Sequence, residues 1–260
     1  MQKLPVVLVD RPQPHVVRLR INRPNKRNAI DYDVRQFLIK SLQEIFANPD
    51  DRAIVFGGVE RVFSAGGDVT TMVGITEVEA RNRMRHIHDL CHTVADARLP
   101  VVTAIEGIGA GAAIGLALLG DHIVVGEGAR ILFPFMKLGL TPDWGLLHTL
   151  PRRVGLPTAR RILTQSQPIG GPEALRIGLA DELVGDDQVM DAAIAKAVEL
   201  SQLPLGAFGR MKRRLNKNAS SFIEELSREQ DDQAACLLGP EFTEGFSAFK
   251  EKRAPNFIKR

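Results

Sequence analysis

The sequence predicts an α/β fold with a mainly parallel sheet. Three observations carry this. Short β-branched runs alternate with amphipathic helical stretches; two Gly-rich turns each follow a strand and open a helix; and the last quarter of the chain is helical in pattern. The 260 residues are 44% hydrophobic, enough for one substantial core or a core with a helical appendage.

Val6 to Val9 and His15 to Ile21 are rich in β-branched residues and read as a hairpin. Asn22 to Asn28 is a polar turn. Asp31 to Ala47 has helical spacing, with Val34, Phe37, Leu38, Leu42, Ile45 and Phe46 on one face, Asp31 as N-cap and Asn48-Pro49 as stop. Ala53 to Phe56 reads as a buried strand, Arg61 to Asp68 as a loop and Glu77 to Arg98 as a second amphipathic helix. Val101 to Ile105 is the next strand. Gly107 to Gly115 feeds a helix ending near Gly120, and Asp121 to Val125 and Ala129 to Leu132 are strands. Short helices run from Asp143 to Gly178, and Leu183-Val184 is a brief strand. From Asp186 to about Ala248 the pattern is helical, with breaks near Pro204, Ala219 and Gly239-Pro240. The chain divides into a core domain, residues 1–200, and a helical region, residues 201–260.

The net charge is +3 and the pI about 9.0. Charges of both signs are mixed along the chain, which suits a small anionic substrate and gives no nucleic-acid footprint. Lys212 to Arg214 reads as a solvated helix face. Cys91 and Cys236 form no disulfide framework or zinc motif, and a reduced, cytoplasmic setting is expected. Met1 to Asp10 lacks the apolar run of a signal peptide, and no stretch is long and apolar enough to span a membrane.

The first Gly-rich turn is Phe63-Ser64-Ala65-Gly66-Gly67-Asp68, and the second is Gly107-Ile108-Gly109-Ala110-Gly111-Ala112-Ala113. Small residues allow close backbone approach, and the first N–H groups of a helix are unpaired at the positive end of its dipole. Two such loops can aim donors at one oxygen, as in an oxyanion hole. They can equally be tight turns where helix and strand pack closely. The second loop fits neither the dinucleotide fingerprint nor a P-loop.

The turns, taken with Asn22 to Ala29, Pro100 to Asp121, Leu138 to Asp143 and Glu173 to Ala180, resemble successive signatures of the enoyl-CoA hydratase/isomerase (crotonase) superfamily, over roughly residues 5 to 255. The resemblance implies a crotonase-like spiral of ββα turns with a C-terminal helical trimerisation region. It implies a homotrimer or a hexamer of paired trimers, acting on an acyl-CoA with no separate cofactor and no metal. By position, the two oxyanion donors fall on the N–H groups of Gly67 and Ala112. Lys26, Arg27 and Ala29 match the segment along the CoA nucleotide and pantetheine; Ala65, Asp68 and Val69 match the adenine side; Gly111, Phe135 and Trp144 fall on the substrate side of the site.

Hydratases of this family use two glutamates, whose positions here are Gly115 and Phe135. Neither replacement transfers a proton. The carboxylate left in place is Asp143, matching the base of isomerase-type members, with Phe133, Phe135, Leu140 and Trp144 expected to desolvate it. Its alternative is simply to N-cap the following helix. His88, on a stripe with Met84, Cys91 and Ala95, resembles a catalytic histidine of 4-chlorobenzoyl-CoA dehalogenase, or is a core histidine. Enoyl-CoA isomerisation through Asp143 is the leading reading. The alternatives are dehalogenase- or hydrolase-like chemistry with Asp143 and His88, and a catalytically silent acyl-CoA binding protein. Glu106 is expected to cap or pair locally, His86 and His92 to be solvated, and His122 and His148 to have no functional partner.

Overall fold

A computed structural model describes residues 5–258, so the first four residues of the Met1 to Asp10 segment lie outside the described residues. Strands β1 (Val7–Gln13) and β2 (Val16–Ile21) form the expected antiparallel hairpin. β3 (Ala53–Gly58), β4 (Val101–Ile105), β6 (His122–Gly126) and β9 (Glu182–Val184) join in parallel, giving the order β1-β2-β3-β4-β6-β9. β3 and β4 are buried along their whole length, as central parallel strands covered on both faces must be. Their side chains alternate. Ile54 and Val101 face a core built with helices α1 (Tyr32–Ala47) and α2 (Glu77–Ala95); Val55 and Val102 face α7 (Val189–Ser201) through Val189, Ala193 and Ala197.

A smaller sheet, β5 (Ile108–Ala110), β7 (Arg130–Leu132) and β8 (Ile169–Gly170), lies at the carboxyl ends of the main strands. β4 turns at Gly107 into β5, which runs straight into α3 (Ala112–Ala117); β6 likewise leads into β7 and then α4 (Leu146–Val154). These ββα turns form the crotonase-like spiral. Helices α5 (Leu156–Gln165) and α6 (Gly171–Arg176) complete the α/β part, and α8 (Leu205–Asn216), α9 (Phe222–Leu237) and α10 (Pro240–Glu251) form the helical C-terminus. No helix among the described residues is long and apolar enough to cross a membrane.

Several local expectations are corrected. β5 falls in the Gly/Ala segment expected to feed a helix and β8 in the stretch expected to hold short helices, because strands of two or three residues rich in Gly and Ala carry little β-branched signal. α2 stops at Ala95 rather than Arg98, and it starts with a capping box in which Thr76 and Glu79 exchange hydrogen bonds. Phe37 is 44% exposed, while Arg35 takes a place on the buried face of α1 at 2% exposure. Lys212 is not solvated: it is buried at the foot of α8 and donates to Asp121 Oδ2 at 2.7 Å, while that same oxygen accepts the Val101 N–H at 2.8 Å. This ion pair ties the helical C-terminus to the start of β4. Asp31 does cap α1, accepting from the Val34 N–H at 3.0 Å.

Candidate active site

The two Gly-rich turns dock edge to edge. Ser64 N–H donates to Ile108 C=O at 3.0 Å and Ala110 N–H returns to Ser64 C=O at 3.0 Å, so the first turn extends the small sheet beside β5. On its other side Ile30 N–H donates to Gly66 C=O and Asp68 N–H donates to Ile30 C=O. That parallel bridge leaves the Gly67 N–H facing away from Ile30. Gly66 sits at φ 90°, and a Cβ there would lie 2.4 Å from Ala110 O and 3.5 Å from Ala112 N. Glycine is therefore required for the approach. The Ser64 hydroxyl donates to Asn28 C=O at 2.7 Å and accepts from Gly66 N–H at 3.1 Å. Fully buried Asn28 donates to the carbonyls of Val59 and Val62 and accepts from Arg23 N–H, which anchors the turn from below.

Gly67 N–H and Ala112 N–H donate to no group among the described residues. Ala112 is the first residue of α3, so its N–H is one of the orphan donors of that helix. The two loops touch at these residues: a Cβ on Gly67 would lie 3.9 Å from the Ala112 Cβ. Two free donors on abutting, rigidly held loops can hold one oxyanion, and loss of such a donor costs about 2.7–4 kcal/mol of activation energy.

Asp143 precedes α4 but does not cap it. The N-cap is Gly145, with no side-chain cap. The Asp143 carboxyl has a buried Oδ1 without a hydrogen-bond partner. Burial raises its pKa above the ordinary aspartate value; a hydrogen bond from its own backbone and the charges of Arg83, His88 and Arg35 act against that. Phe133, Phe135 and Trp144 are buried, as expected, whereas Leu140 is 41% exposed and does not share in the shielding. Trp144 has φ 54°, a left-handed backbone uncommon for so large a residue. Its side chain lies against Gly115, where an added Cβ would fall 2.3 Å from the Trp144 Cβ and 3.3 Å from its carbonyl oxygen. The space of a side chain at position 115 is thus occupied by Trp144.

Two arginines complete the surroundings, and neither stood out in the sequence. Arg83 of α2 donates to the Thr71 hydroxyl at 3.1 Å, and its Nη2 would lie 3.6 Å from a Cβ on Gly67. Arg35 donates through Nε to His86 Nδ1 at 3.2 Å; its Nη1 is buried without a partner. Burial, helped by the charge of Arg83, lowers its pKa to about 10. His86 is therefore half-buried and partnered rather than free in solvent. It stacks on Tyr32 with ring centroids 4.5 Å apart, and Nδ1 acts as acceptor, so Nε2 carries the proton toward Gln36 Oε1 at 3.1 Å.

His88 is not a core histidine. It is exposed beside Met84, Arg81 and Arg85, on the side of α2 whose charge reaches Asp143. Cys91, one turn further, is half-buried, and burial pushes its thiol up to about 12. Lys26 and Arg27 are exposed at the turn before α1 and Ala29 is buried beneath them. Ala65 and Val69 flank Gly67, with Val69 46% exposed. The Asp68 carboxylate accepts from the Thr70 hydroxyl at 2.6 Å and from Arg23 at 3.3 Å. The Thr70 bond, with Lys26 and Arg23, holds its pKa below the ordinary value against the effect of burial. Gly111 turns at φ 48° into α3 with Phe135 in contact range. Elsewhere, His122 faces Glu182 at 3.3 Å, His92 and His148 are exposed, and Glu106 is buried near Arg61, Arg18 and Arg20, with burial raising its pKa.

One consequence follows for position 115. Gly115→Glu, which would supply a carboxylate at a hydratase position, should lower the unfolding midpoint, since overpacking of this kind typically costs about 1–3 kcal/mol. It should yield no hydration of 2-enoyl-CoA. Thermal denaturation and a hydration assay check this, and a stable variant that hydrates would refute the steric reading.

The chain matches the profile of the family Enoyl-CoA hydratase/isomerase over residues 11–260. A Rhodobacter capsulatus protein named as a probable enoyl-CoA hydratase is 32% identical, over 92% of this chain and 93% of its own length. The 1,2-epoxyphenylacetyl-CoA isomerase of Escherichia coli is 28% identical, over 93% of this chain and 94% of its own. Among solved structures, an enoyl-CoA hydratase/isomerase from Cupriavidus metallidurans superposes with a TM-score of 0.90 at 26% identity, covering 99% of this chain and 97% of that one. Fold, loop geometry and sequence similarity together establish that the chain belongs to the enoyl-CoA hydratase/isomerase family.

Proposed function

We propose that the protein is an enoyl-CoA isomerase that moves a double bond along an acyl thioester, with Asp143 as the proton carrier. The observation that carries this is the Asp143 carboxyl itself: partly buried, with an oxygen that bonds to nothing, and within reach of the charge of Arg83, whose guanidinium borders Gly67. The Asp143 carboxylate takes a proton from C2 of a 3-enoyl-CoA. The electron pair moves into a dienolate whose oxygen accepts from Gly67 and Ala112 N–H. The Asp143 carboxyl then returns the proton to C4, and the double bond ends between C2 and C3. One carboxylate serves both steps, so no second acid is required. Hydration would need a water held by two carboxylates, and the occupied space at Gly115 and the apolar Phe135 speak against that. The isomerase named among the relatives is in keeping with this reading. Lys26 and Arg27, exposed and basic, suit the phosphates of CoA.

The C-terminal helices support assembly. Phe222, Ile223, Leu238 and Phe249 are each 75% or more exposed, an apolar surface that a trimer would cover. Light scattering should give three or six chains per particle, and a monomer at micromolar concentration would remove this part of the proposal.

Asp143→Asn should lower kcat for 3-enoyl-CoA by roughly 10²–10⁴-fold. Because the folded-state pKa of Asp143 is raised, its ionisation opposes folding. The stability that the neutral carboxyl contributes is present at low pH and lost as pH rises through the folded pKa, so Asp143→Asn should melt no lower than wild type at pH 7. As the base must be ionised, kcat should fall as pH drops through an inflection above the ordinary aspartate range. Undiminished turnover in Asp143→Asn, measured as conjugated 2-enoyl-CoA formed, would sink the proposal.

A further inference from the structure

A cavity of about 420 Å³ opens between the N-terminal turns of α1 and the middle of α2. Its walls include Tyr32, Arg35, Thr71, Asn82, Arg83 and His86. Arg83 joins it to the catalytic centre, because the same guanidinium borders Gly67. An acyl group whose carbonyl oxygen rests on Gly67 and Ala112 therefore has this cavity beside it.

The cavity is unusual in its charge. Arg35 is 2% exposed and keeps an Nη1 with no partner. Neither Arg35 nor Arg83 is ion-paired with a carboxylate among the described residues. The two guanidiniums also repel each other, since the charge of Arg83 lowers the Arg35 pKa. The acidic residues on the rim are committed or solvated. Asp31 caps α1 and pairs with Arg23 at 2.9 Å, Glu79 belongs to the Thr76 capping box, and Asp33 is exposed. The charges of Asp31 and Asp143 reach Arg35, and those of Asp143 and Asp68 reach Arg83, without forming an ion pair among the described residues. A buried cation with an unmade hydrogen bond is costly unless an anion comes to it. Guanidinium pairs suit a carboxylate through charge-assisted bonds.

We propose that this cavity receives the far end of the acyl group, and that the acyl group ends in a carboxylate bound by Arg35 and Arg83. The substrate class is then an acyl-CoA made from a dicarboxylic acid rather than a plain fatty acyl-CoA. The assignment rests on the thioester site read above, but not on the reaction performed there. The Asn82 side-chain amide, on the same walls, is a further donor for the carboxylate oxygens, whereas the Thr71 hydroxyl is committed to the Asp68 C=O at 2.7 Å.

The test uses saturated thioesters, which have no double bond to move, so it succeeds or fails separately from the isomerase reading. Calorimetric titration of the full chain would compare succinyl-, glutaryl- and adipyl-CoA with butyryl-, pentanoyl- and hexanoyl-CoA. At least one dicarboxylic thioester should bind about tenfold or more tightly than its equal-length partner. Arg35→Gln, and Arg83→Gln in its own right, should close that gap. Arg35 is fully buried and its replacement endangers the fold, so half-buried Arg83 carries the test. Equal or weaker binding of all three dicarboxylic thioesters would overturn the proposal, as would a preference that survives in folded Arg83→Gln. Loss of isomerase activity with the preference intact would overturn the function proposed above and leave this one standing.

Discussion

The site depends on the docking of the turn Ser64 to Asp68 between Ile30 on one side and β5 on the other. Four backbone hydrogen bonds make that docking, and they decide which way each peptide of the turn points. Gly66 C=O and Asp68 N–H are used on the Ile30 side, so Gly67 N–H must face the other way, toward the start of α3. The close approach tolerates no Cβ on Gly66, and buried Asn28 and Ser64 brace it from beneath. Loosening any of these would move a donor, not merely weaken a turn. Pre-aimed backbone dipoles cost no reorganisation when charge develops in front of them.

A second constraint acts on the reaction rather than on the oxyanion. Trp144 turns back through a left-handed backbone and fills the space at Gly115. The same turn delivers Asp143, one residue earlier, into an apolar setting where one carboxyl oxygen goes unsatisfied. One turn thus both fills the space at position 115 with Trp144 and places Asp143. Burial lifts the Asp143 pKa, the hydrogen bond from its own backbone and the charges of Arg83, His88 and Arg35 draw it down, and the net direction is upward.

Much of this was legible from residue patterns. The mainly parallel sheet, the Asp31 cap, both Gly-rich turns and the placing of Asp143 before a helix could all be read from alternation, capping residues and small-residue runs. What escaped notice has physical causes. β5 is built of Ile-Gly-Ala and carries no strand propensity, being imposed by its neighbours. Arg35 occupies a buried place that helical spacing assigns to an apolar residue, and Phe37 sits outside instead. Lys212 reads in the sequence as one of three adjacent surface cations, but its partner Asp121 lies 91 residues away. His86 and Arg83 matter through partners on other elements, which spacing along one helix does not reveal. That Trp144 excludes a side chain at 115 is likewise a contact between distant segments.

In the proposed reaction Asp143 and the two backbone donors generate a thioester enolate. Proton exchange at C2 of a saturated acyl-CoA in deuterated water, followed by NMR, reads that step without any assumption about the product. The wild-type protein should catalyse loss of the C2 proton signal. Asp143→Asn should catalyse almost none, and Ala112→Pro, which removes one donor at a helix position where proline is tolerated, should slow the loss roughly 10²–10³-fold. Exchange that proceeds equally in all three proteins, or in none, would contradict it.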